Sequence, residues 1–354
     1  MSARRVAWLL AAGLVVVAFA IWLSSQRHLE RSTSAGDAVL PGLTQGVNTV
    51  TQLELVKGDG ARCTVKKSGE GWTVSERDWP ADVGKVRKLL LALGALTVVE
   101  EKTRLPANYP ALGVEDVTTA KASGTRVAAV APTHTWALIV GKSSSAKSGY
   151  VRVPGTEQSL LAAPLLAVDA DPKSWLANAL LDVPVERVRQ VEEKPAQGAA
   201  FSAAREKKTD PHFAVSPLPK GRELTAPGAA DGIPAALSAL TLDDVHKGGA
   251  PADAHLAHAL FHTFDGLDVD VAGRKDGTRS LIAISARGTT KDGQAEADKI
   301  NARLAGWEFD VPEYKYTAIF TPLEELLKKP PEPARKTPAA PPKSKAPAAA
   351  APPQ

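Results

Sequence analysis

The sequence predicts an α+β fold, in which two similar lobes of antiparallel strands with packed helices, related by internal duplication, are preceded by one transmembrane helix. Three observations support this prediction. Short alternating strand patterns are separated by Gly-rich turns and by a few helical patterns. A segment that begins at Val188 repeats the pattern that begins at Val50. An unbroken apolar run occupies Val6 to Leu23.

The apolar run Val6–Leu23 is predicted to anchor the chain in the inner membrane. It has 18 residues, and as a helix it would span ~27 Å of a ~30 Å hydrocarbon core. Trp8 and Trp22 lie near its ends, where indole rings favour the interface. The very short preceding segment favours a cytoplasmic N-terminus and a periplasmic body. The alternative is a signal peptide cleaved after Ala18-Phe19-Ala20, but Ile21-Trp22-Leu23 continue the apolar run.

Shifts in composition predict five regions along the chain. They are an anchor (1–26), a polar, turn-rich linker (27–46), a first α+β lobe (47–185), a second α+β lobe (186–328) and a disordered Pro/Ala/Lys tail (329–354).

The charge distribution argues against nucleic-acid binding. Apolar residues make up 44% of the chain and charged residues 23%, which is typical of globular proteins. The net charge is +4, but the tail from Lys328 carries +5 and the first 31 residues carry +3, which leaves −4 on residues 32–327. Phosphate binding requires a concentrated basic patch, so we predict no nucleic-acid partner.

The first lobe is predicted to begin with an antiparallel meander. Its strands are Val50–Leu55, Cys63–Val65 and Trp72–Val74, separated by turns at Gly58-Asp59-Gly60 and Ser68–Gly71. Cys63, the only cysteine, lies in an alternating pattern. We therefore predict that its side chain faces inward as a small hydrophobic group.

A helix is predicted to follow the meander, with Asp82 as its N-cap and its end near Leu96. Its apolar residues fall on one side at spacings of three and four: Val83, Val86, Leu89, Leu90, Leu93 and Leu96. A helix packed on a sheet explains this stripe, and a partner-binding face is the alternative. Further strands are predicted at Val127–Val130, Trp136–Val140 and Tyr150–Val153.

The second lobe is predicted to repeat the first. The matching segments are Val188–Glu192 with Val50–Glu54, Phe213–Val215 with Trp72–Val74, and Leu237–Thr241 with Leu93–Thr97. Asp231 and Pro234 suit the start of a second helix. The remaining predicted elements are a hairpin of Leu267–Val271 and Leu281–Ile284 through Asp276-Gly277, a helix Gln294–Leu304, a strand Trp307–Val311, and a last helix with Thr321 as N-cap, Pro322 in its first turn and Glu324 completing a capping box.

Motifs for catalysis are weak in this chain. Val140-Gly141-Lys142-Ser143 resembles the end of a phosphate-binding loop, but Trp136 stands where that loop requires glycine, so we predict a strand and a tight turn instead. No Gly-x-Ser-x-Gly motif is present. Paired carboxylates at Asp169, Asp171, Asp243 and Asp244 are predicted to have loop and cap roles. We predict no catalytic residues and no cofactor.

Three histidines are the best metal candidates, and we assign no metal site to them. On a helix, His255, His258 and His262 would share one face, and imidazoles suit zinc. The second half of this segment, however, is rich in strand formers and ends in the turn Asp265-Gly266. On a strand these histidines would not be spaced as ligands, which favours surface histidines.

An ordered set of short motifs resembles domain-of-unknown-function family 4340, found in bacterial envelope proteins. The set follows the N-terminal anchor and comprises Leu40-Pro41-Gly42-Leu43, Gly71-Trp72, Pro80-Ala81-Asp82, Asn108-Tyr109, Leu112-Gly113-Val114, Leu138–Lys142, Tyr150-Val151-Arg152, Asp171-Pro172 with Trp175-Leu176, Gly221–Leu224, Phe264–Leu267 and Asn301–Trp307. The resemblance covers about Leu40 to Leu327. It implies an inner-membrane anchor and, for related proteins, association with gliding-motility-type ABC transport systems. It implies no catalytic residues.

The sequence therefore predicts a non-enzymatic, membrane-anchored periplasmic accessory protein of an ABC-type envelope transport complex. Its partners would be membrane-embedded transporter subunits, contacted through Val6–Leu23. One alternative is a periplasmic ligand- or cell-wall-binding module that uses a cleft between the lobes. The other is a metal-dependent hydrolase that uses His255, His258 and His262.

Overall fold

The computed structural model describes residues 34–249 and 256–328. The predicted anchor (1–26) and the predicted tail (329–354) lie outside these ranges. Within them, no helix combines the length and apolar character needed to cross a bilayer. The described residues form antiparallel sheets with a few packed helices, which confirms the α+β class.

The first sheet has nine antiparallel strands in the order β4-β3-β2-β1-β6-β7-β8-β9-β5. Their bounds are β1 Gln52–Lys57, β2 Arg62–Ser68, β3 Gly71–Val74, β4 Trp79–Pro80, β5 Thr97–Glu101, β6 Thr125–Val130, β7 Thr135–Ser143, β8 Gly149–Arg152 and β9 Ser159–Ala163. The predicted strands of this lobe all form. Alternation along β1 places Leu53 and Leu55 in the core.

Helix α2 packs on this sheet and follows the short helix α1. The helices of the first lobe are α1 Leu43–Gly46, α2 Val83–Gly94 and α3 Tyr109–Leu112. Asp82 caps α2 as predicted, because its carboxylate accepts a hydrogen bond from the backbone N–H of Lys85 at 3.1 Å. The predicted stripe is buried except at its first position, since Val83 is 41% exposed.

The packed body begins before the predicted boundary at residue 47. Val39, Leu40 and Leu43 are buried in the core. The backbone N–H of Val39 donates to the carbonyl of Leu96 at 2.9 Å, just beyond the end of α2. The described part of the predicted linker is therefore packed against the first lobe.

The second sheet has eight antiparallel strands in the order β13-β12-β11-β16-β17-β18-β19-β15. Their bounds are β11 Val188–Lys194, β12 Phe201–Ala204, β13 Ala214–Ser216, β15 Asp244–Lys247, β16 Ala257–Thr263, β17 Leu267–Asp276, β18 Arg279–Gly288 and β19 Trp307–Asp310. The helices are α4 Lys291–Leu304, α5 Glu313–Ile319 and α6 Leu323–Leu326, and a two-stranded sheet pairs β10 Ala179–Leu181 with β14 Leu240–Thr241. The hairpin through Asp276-Gly277 forms as predicted.

Apart from β4, the two sheets share one strand order. Each begins with a meander, β3-β2-β1 or β13-β12-β11. The inner strand of the meander, β1 or β11, pairs with β6 or β16, which begins a later run of four strands (β6–β9 or β16–β19). The sheet then ends with β5 or β15. Gln52 donates to Glu54 at 2.5 Å in β1, and Gln190 donates to Glu192 at 3.1 Å in β11.

The predicted second helix near Asp231 is wrong, because residues 227–239 form consecutive turns. The Asp231 carboxylate does not cap a helix but accepts the backbone N–H of Phe213 at 3.0 Å and contacts His212 Nδ1 at 2.7 Å. Gly228 and Gly232 also lower the helix propensity of this segment.

The predicted last helix shortens to the single turn α6. Thr321 is not its N-cap, since the Thr321 hydroxyl donates backwards to the carbonyl of Thr317 at 2.8 Å, in α5. The preceding helix α5 occupies residues for which the sequence predicted no helix.

Candidate functional site

The two lobes meet at Trp79 of the first sheet. Its ring lies edge-on to Trp307 and Phe309 of β19, with both centroid distances at 5.3 Å. Its indole N–H donates to the carbonyl of Ala177 at 3.0 Å. Because Trp79 is only 3% exposed, it belongs to a core that continues from one sheet into the other.

Charged pairs surround this aromatic contact. Arg77 binds Asp244 of β15 through Nε–Oδ1 at 2.6 Å, and Lys173 reaches the same carboxylate at 3.4 Å. Lys247 pairs with Asp78 at 2.9 Å. Burial raises the pKa of the Asp244 carboxyl, but hydrogen bonds from Arg77 and from the backbone of Val245 outweigh it, so the pKa lies below its ordinary value.

The alternative of a ligand cleft between the lobes stays a prediction. At Trp79 and Arg77, aromatic rings and ion pairs hold the two lobes in contact. Backbone pairing also ties the segments that connect the sheets, since β10 pairs with β14 and Ala81 bridges to Leu176. The grooves beside β11 and on either side of α2 are each lined by residues of a single lobe.

The second lobe carries a groove of about 690 Å³ on the outer face of its sheet, called here the polar groove. Its lining includes Gln190, Glu192, Ser202, Ser216, His258 and Asp270. These side chains provide hydrogen-bond donors, acceptors and negative charge on one accessible face.

His258 and His262 lie on strand β16 and not on a helix. Four residues along a strand separate them by ~13 Å, so they cannot bind one metal ion. Each contacts a carboxylate of β17 instead: His258 Nδ1 lies 3.3 Å from Asp270, and His262 Nδ1 lies 2.7 Å from Asp268.

His255 lies outside the described residues. Across residues 34–249 and 256–328, no cluster of three or more His, Cys, Asp or Glu side chains is placed to hold a metal ion. The helical arrangement considered for the three histidines is therefore wrong for His258 and His262.

Glu193 is a buried carboxyl that the sequence analysis did not single out. It is 2% exposed, and its Oε1 atom has no hydrogen-bond partner. Burial raises the pKa of this carboxyl to about 9. Gln190 and Glu192 correspond to Gln52 and Glu54 in the repeated pattern, so Glu193 corresponds to Leu55. A carboxyl side chain therefore occupies a position that is apolar in the first sheet.

Helix α2 presents an exposed surface, the α2 face, formed by Val83, Lys85, Arg87, Lys88 and Leu91. Val83 is 41% exposed and Leu91 is 57% exposed. Val83, Arg87 and Leu91 are spaced by four residues and therefore align along the helix. Grooves of about 430 and 420 Å³ flank the helix on either side.

The remaining singled-out residues have local roles. Asp171 accepts the backbone N–H of Lys173 at 3.0 Å, and Asp169 accepts the hydroxyl of Ser174 at 2.5 Å, which are loop and cap roles. The same prediction is wrong for Asp244, which lies in strand β15 and pairs with Arg77. Lys142 Nζ donates to the carbonyls of Pro110 and Ala111, each at 3.1 Å, at the end of β7.

Cys63 is buried, as predicted from its alternating pattern. Burial raises the pKa of its thiol to about 12. A thiol with such a pKa is inert at neutral pH, because the thiolate is the reactive form.

The fold and these surfaces define a two-lobed, antiparallel α+β protein with accessible faces on both lobes. The model of the family "Domain of unknown function (DUF4340)" matches residues 72–258, more than half of the chain. The protein belongs to this family, which confirms the resemblance seen in its motifs. No curated protein and no solved structure matches the chain.

Proposed function

We propose that the protein is a membrane-anchored periplasmic accessory subunit of an ABC-type envelope transport complex, and that it acts by binding rather than by catalysis. Family membership supports the proposal, because the resemblance implies association with gliding-motility-type transport systems. The apolar run Val6–Leu23 supports the anchor and offers a surface for transporter subunits within the membrane.

The filled junction between the lobes is the observation that carries this proposal. A binding protein that closes on its ligand needs lobes that separate, and pockets favour such interfaces. Here Trp79 is buried against Trp307 and Phe309, and Arg77 pairs with Asp244. A body locked in this way suits a scaffold that presents fixed surfaces to other subunits.

We also propose that the body arose by duplication of one lobe. The shared strand order and the matching pairs Gln52–Glu54 and Gln190–Glu192 support this origin. Helix α2 and the turns at 227–239 would then be the same connection in two conformations.

Co-purification tests the accessory function. The tagged full-length chain, at native expression, is isolated from membranes in mild detergent, and its partners are identified by mass spectrometry. The proposal expects an ATPase and a permease in near-stoichiometric amounts.

A matched variant replaces Val6–Leu23 with an unrelated apolar run of equal length, so that anchoring is kept and specific contacts in the membrane are lost. We expect transporter subunits to co-purify with the chain that has the native span, and smaller amounts of them to co-purify with the replacement variant. Recovery of the native chain alone would overturn the accessory function.

The polar groove favours a second candidate function, the binding of a small polar ligand or wall fragment. Its donors and acceptors, Gln190, Ser202 and Asp270 among them, face one cavity of about 690 Å³. Titration of the full chain with soluble wall fragments, followed by intrinsic fluorescence, tests this function. Asp270→Asn should weaken binding, and Glu54→Gln on the first sheet should not.

The metal-dependent hydrolase is the least supported candidate. It requires a metal that is bound by His258 or His262 and also by side chains that these histidines do not contact in the structure. Elemental analysis of the purified full chain without stoichiometric zinc would remove it.

A further inference from the structure

The described chain enters the first lobe beside the C-terminal end of α2. The backbone N–H of Gly36 donates to the carbonyl of Val98 at 2.8 Å, and that of Val39 donates to Leu96 at 2.9 Å. The predicted span ends at Leu23, so ten residues, 24–33, separate it from the first described residue. If Val6–Leu23 anchors the chain, a link of ten residues reaches at most ~35 Å, which limits the distance between α2 and the bilayer surface.

The α2 face combines cations with exposed apolar side chains. Leu91 is the most exposed apolar residue of the helix, at 57%, and Val83 is 41% exposed at the other end. Arg87 lies between them on the same line, and Lys88 lies on the adjacent line. The helix is ~18 Å long and Val83 and Leu91 lie on the same side of it, so both side chains can contact one flat surface.

Apolar exposure and positive charge extend beyond the helix. Leu165, which lines one of the grooves beside α2, is 37% exposed. The two grooves beside α2 are lined by four cations, Lys67, Lys85, Arg87 and Lys88, against two anions, Glu70 and Asp169. This local excess of positive charge contrasts with the net charge of −4 on residues 32–327.

We propose that the α2 face rests on an anionic lipid surface, with Val83 and Leu91 at the headgroup level and Arg87 and Lys88 against lipid phosphates. This inference rests on the proposed function only through the membrane anchor and does not require a transporter. Its chemistry is that of an interfacial amphipathic helix, in which apolar contact and attraction to anionic lipid act together.

Lipid fits this face better than a second protein subunit. A stable protein interface has an apolar centre depleted in charge. On α2 the apolar side chains are separated by Lys85, Arg87 and Lys88, so no charge-free centre exists on the helix. Because the proposed tether is short, the bilayer also stays at a high effective concentration near α2.

A fluorescent probe at Leu91 tests the inference. Leu91→Cys is labelled in the full-length chain with an environment-sensitive dye, and native Cys63 remains unlabelled because it is buried. The protein is placed in nanodiscs of phosphatidylcholine alone or of equal parts phosphatidylcholine and phosphatidylglycerol. We expect blue-shifted emission, and quenching by headgroup-spin-labelled lipid, in the anionic discs.

Two controls accompany this measurement. Thr278→Cys, in the exposed turn between β17 and β18, should remain unquenched in both discs. Arg87→Gln with Lys88→Gln, added to Leu91→Cys, should lower the ratio of docked to undocked protein about 25-fold, since each cation near an anionic surface contributes roughly a factor of five. Thermal unfolding verifies that this variant is folded.

Equal emission at position 91 in both discs, without quenching, would overturn the inference. A blue shift without lipid quenching would also overturn it, because the dye would then be covered by protein, such as a second copy of the chain. Neither outcome bears on co-purification with a transporter, so the two proposals fail independently.

Discussion

Arg77 and Asp244 join the two lobes through a bidentate ion pair between residues 167 positions apart in sequence. The Nε–Oδ1 distance is 2.6 Å and the Nη2–Oδ2 distance is 3.1 Å. The Asp244 side chain is 4% exposed and that of Arg77 is 25% exposed. Planar, two-point contact of this kind fixes orientation as well as distance. The pair therefore sets how the second lobe sits on the first.

Arg77→Met should lower the free energy of unfolding by about 2–3 kcal/mol, because it leaves a buried carboxylate without its main partner. Lys173, at 3.4 Å, limits the loss. Chemical denaturation followed by tryptophan fluorescence measures it. Arg87→Met, on the exposed side of α2, is the matched control and should change stability little. Equal effects of the two substitutions would contradict the role of the pair.

The same pair predicts a pH dependence. The folded-state pKa of Asp244 lies below its ordinary value. Its contribution to stability is therefore fully present above the unfolded pKa of about 3.9 and is lost as the pH falls through the folded pKa. The stability difference between the native protein and Asp244→Asn should be constant near neutrality and shrink below about pH 4. A constant difference down to acid unfolding would contradict this assignment.

Glu193 predicts the opposite trend. Its pKa in the folded state is about 9 because of burial, against about 4.3 in an unfolded chain. The folded state then binds the extra proton between these values, so stability falls as the pH rises through that window. Glu193→Gln should remove this slope. The free energy of unfolding of the variant should therefore rise relative to that of the native chain by up to about 1.4 kcal/mol for each pH unit.

Urea unfolding across this pH range checks the prediction for Glu193. Glu192→Gln, on the same strand but on the exposed face, serves as control and should keep the native slope. Parallel stability curves for the native chain and Glu193→Gln would show that Glu193 ionises at an ordinary pH.

Trp79→Ala should destabilise the protein by about 3–5 kcal/mol, since it removes a large buried ring at the junction. The substitution also breaks the hydrogen bond to Ala177. Because the contact joins two lobes, we expect the variant to unfold in two steps, with each lobe melting separately. Calorimetry measures this, and Trp79→Phe, which keeps most of the ring, should retain one transition. A single transition in Trp79→Ala would argue that other contacts couple the lobes.

Cys63 should resist thiol reagents at neutral pH. Its side chain is buried and the pKa of its thiol is about 12. Maleimide should modify it only after unfolding, whereas Thr278→Cys should react within minutes in the folded chain. Rapid modification of native Cys63 would show that β2 opens locally.

The sequence predicted strands well where one face is buried, because alternation then follows directly from the pleat. Strands β1, β2, β3, β17 and β18 all formed where predicted. It failed at Asp231, whose carboxylate binds the backbone of Phe213 in another segment, and at Thr321, whose hydroxyl donates back to Thr317 in the preceding helix. Asp82 does cap its helix, because its carboxylate accepts the backbone N–H three residues further along the chain.

At the candidate sites, too, the sequence identified residue types but not their arrangement in space. His258 and His262 were identified as chemically notable, but their ligand geometry depended on whether the segment was a helix or a strand. Glu193 was overlooked because an alternating strand can place a carboxyl on either face. The repeat could have revealed it, since Leu55 occupies the corresponding position of the first lobe.

From the sequence alone came the α+β class, the family, the repeated pattern, the cap at Asp82 and the inward-facing Cys63. These follow from periodicity, local hydrogen bonding and ordered motifs, which a linear chain carries. Only the tertiary structure decided that the lobes are locked at Trp79 and that Arg77 meets Asp244. It also decided that Val83 and Leu91 remain exposed among cations. The reason is physical: burial and pairing depend on segments more than a hundred residues apart, and local pattern does not encode which of them meet.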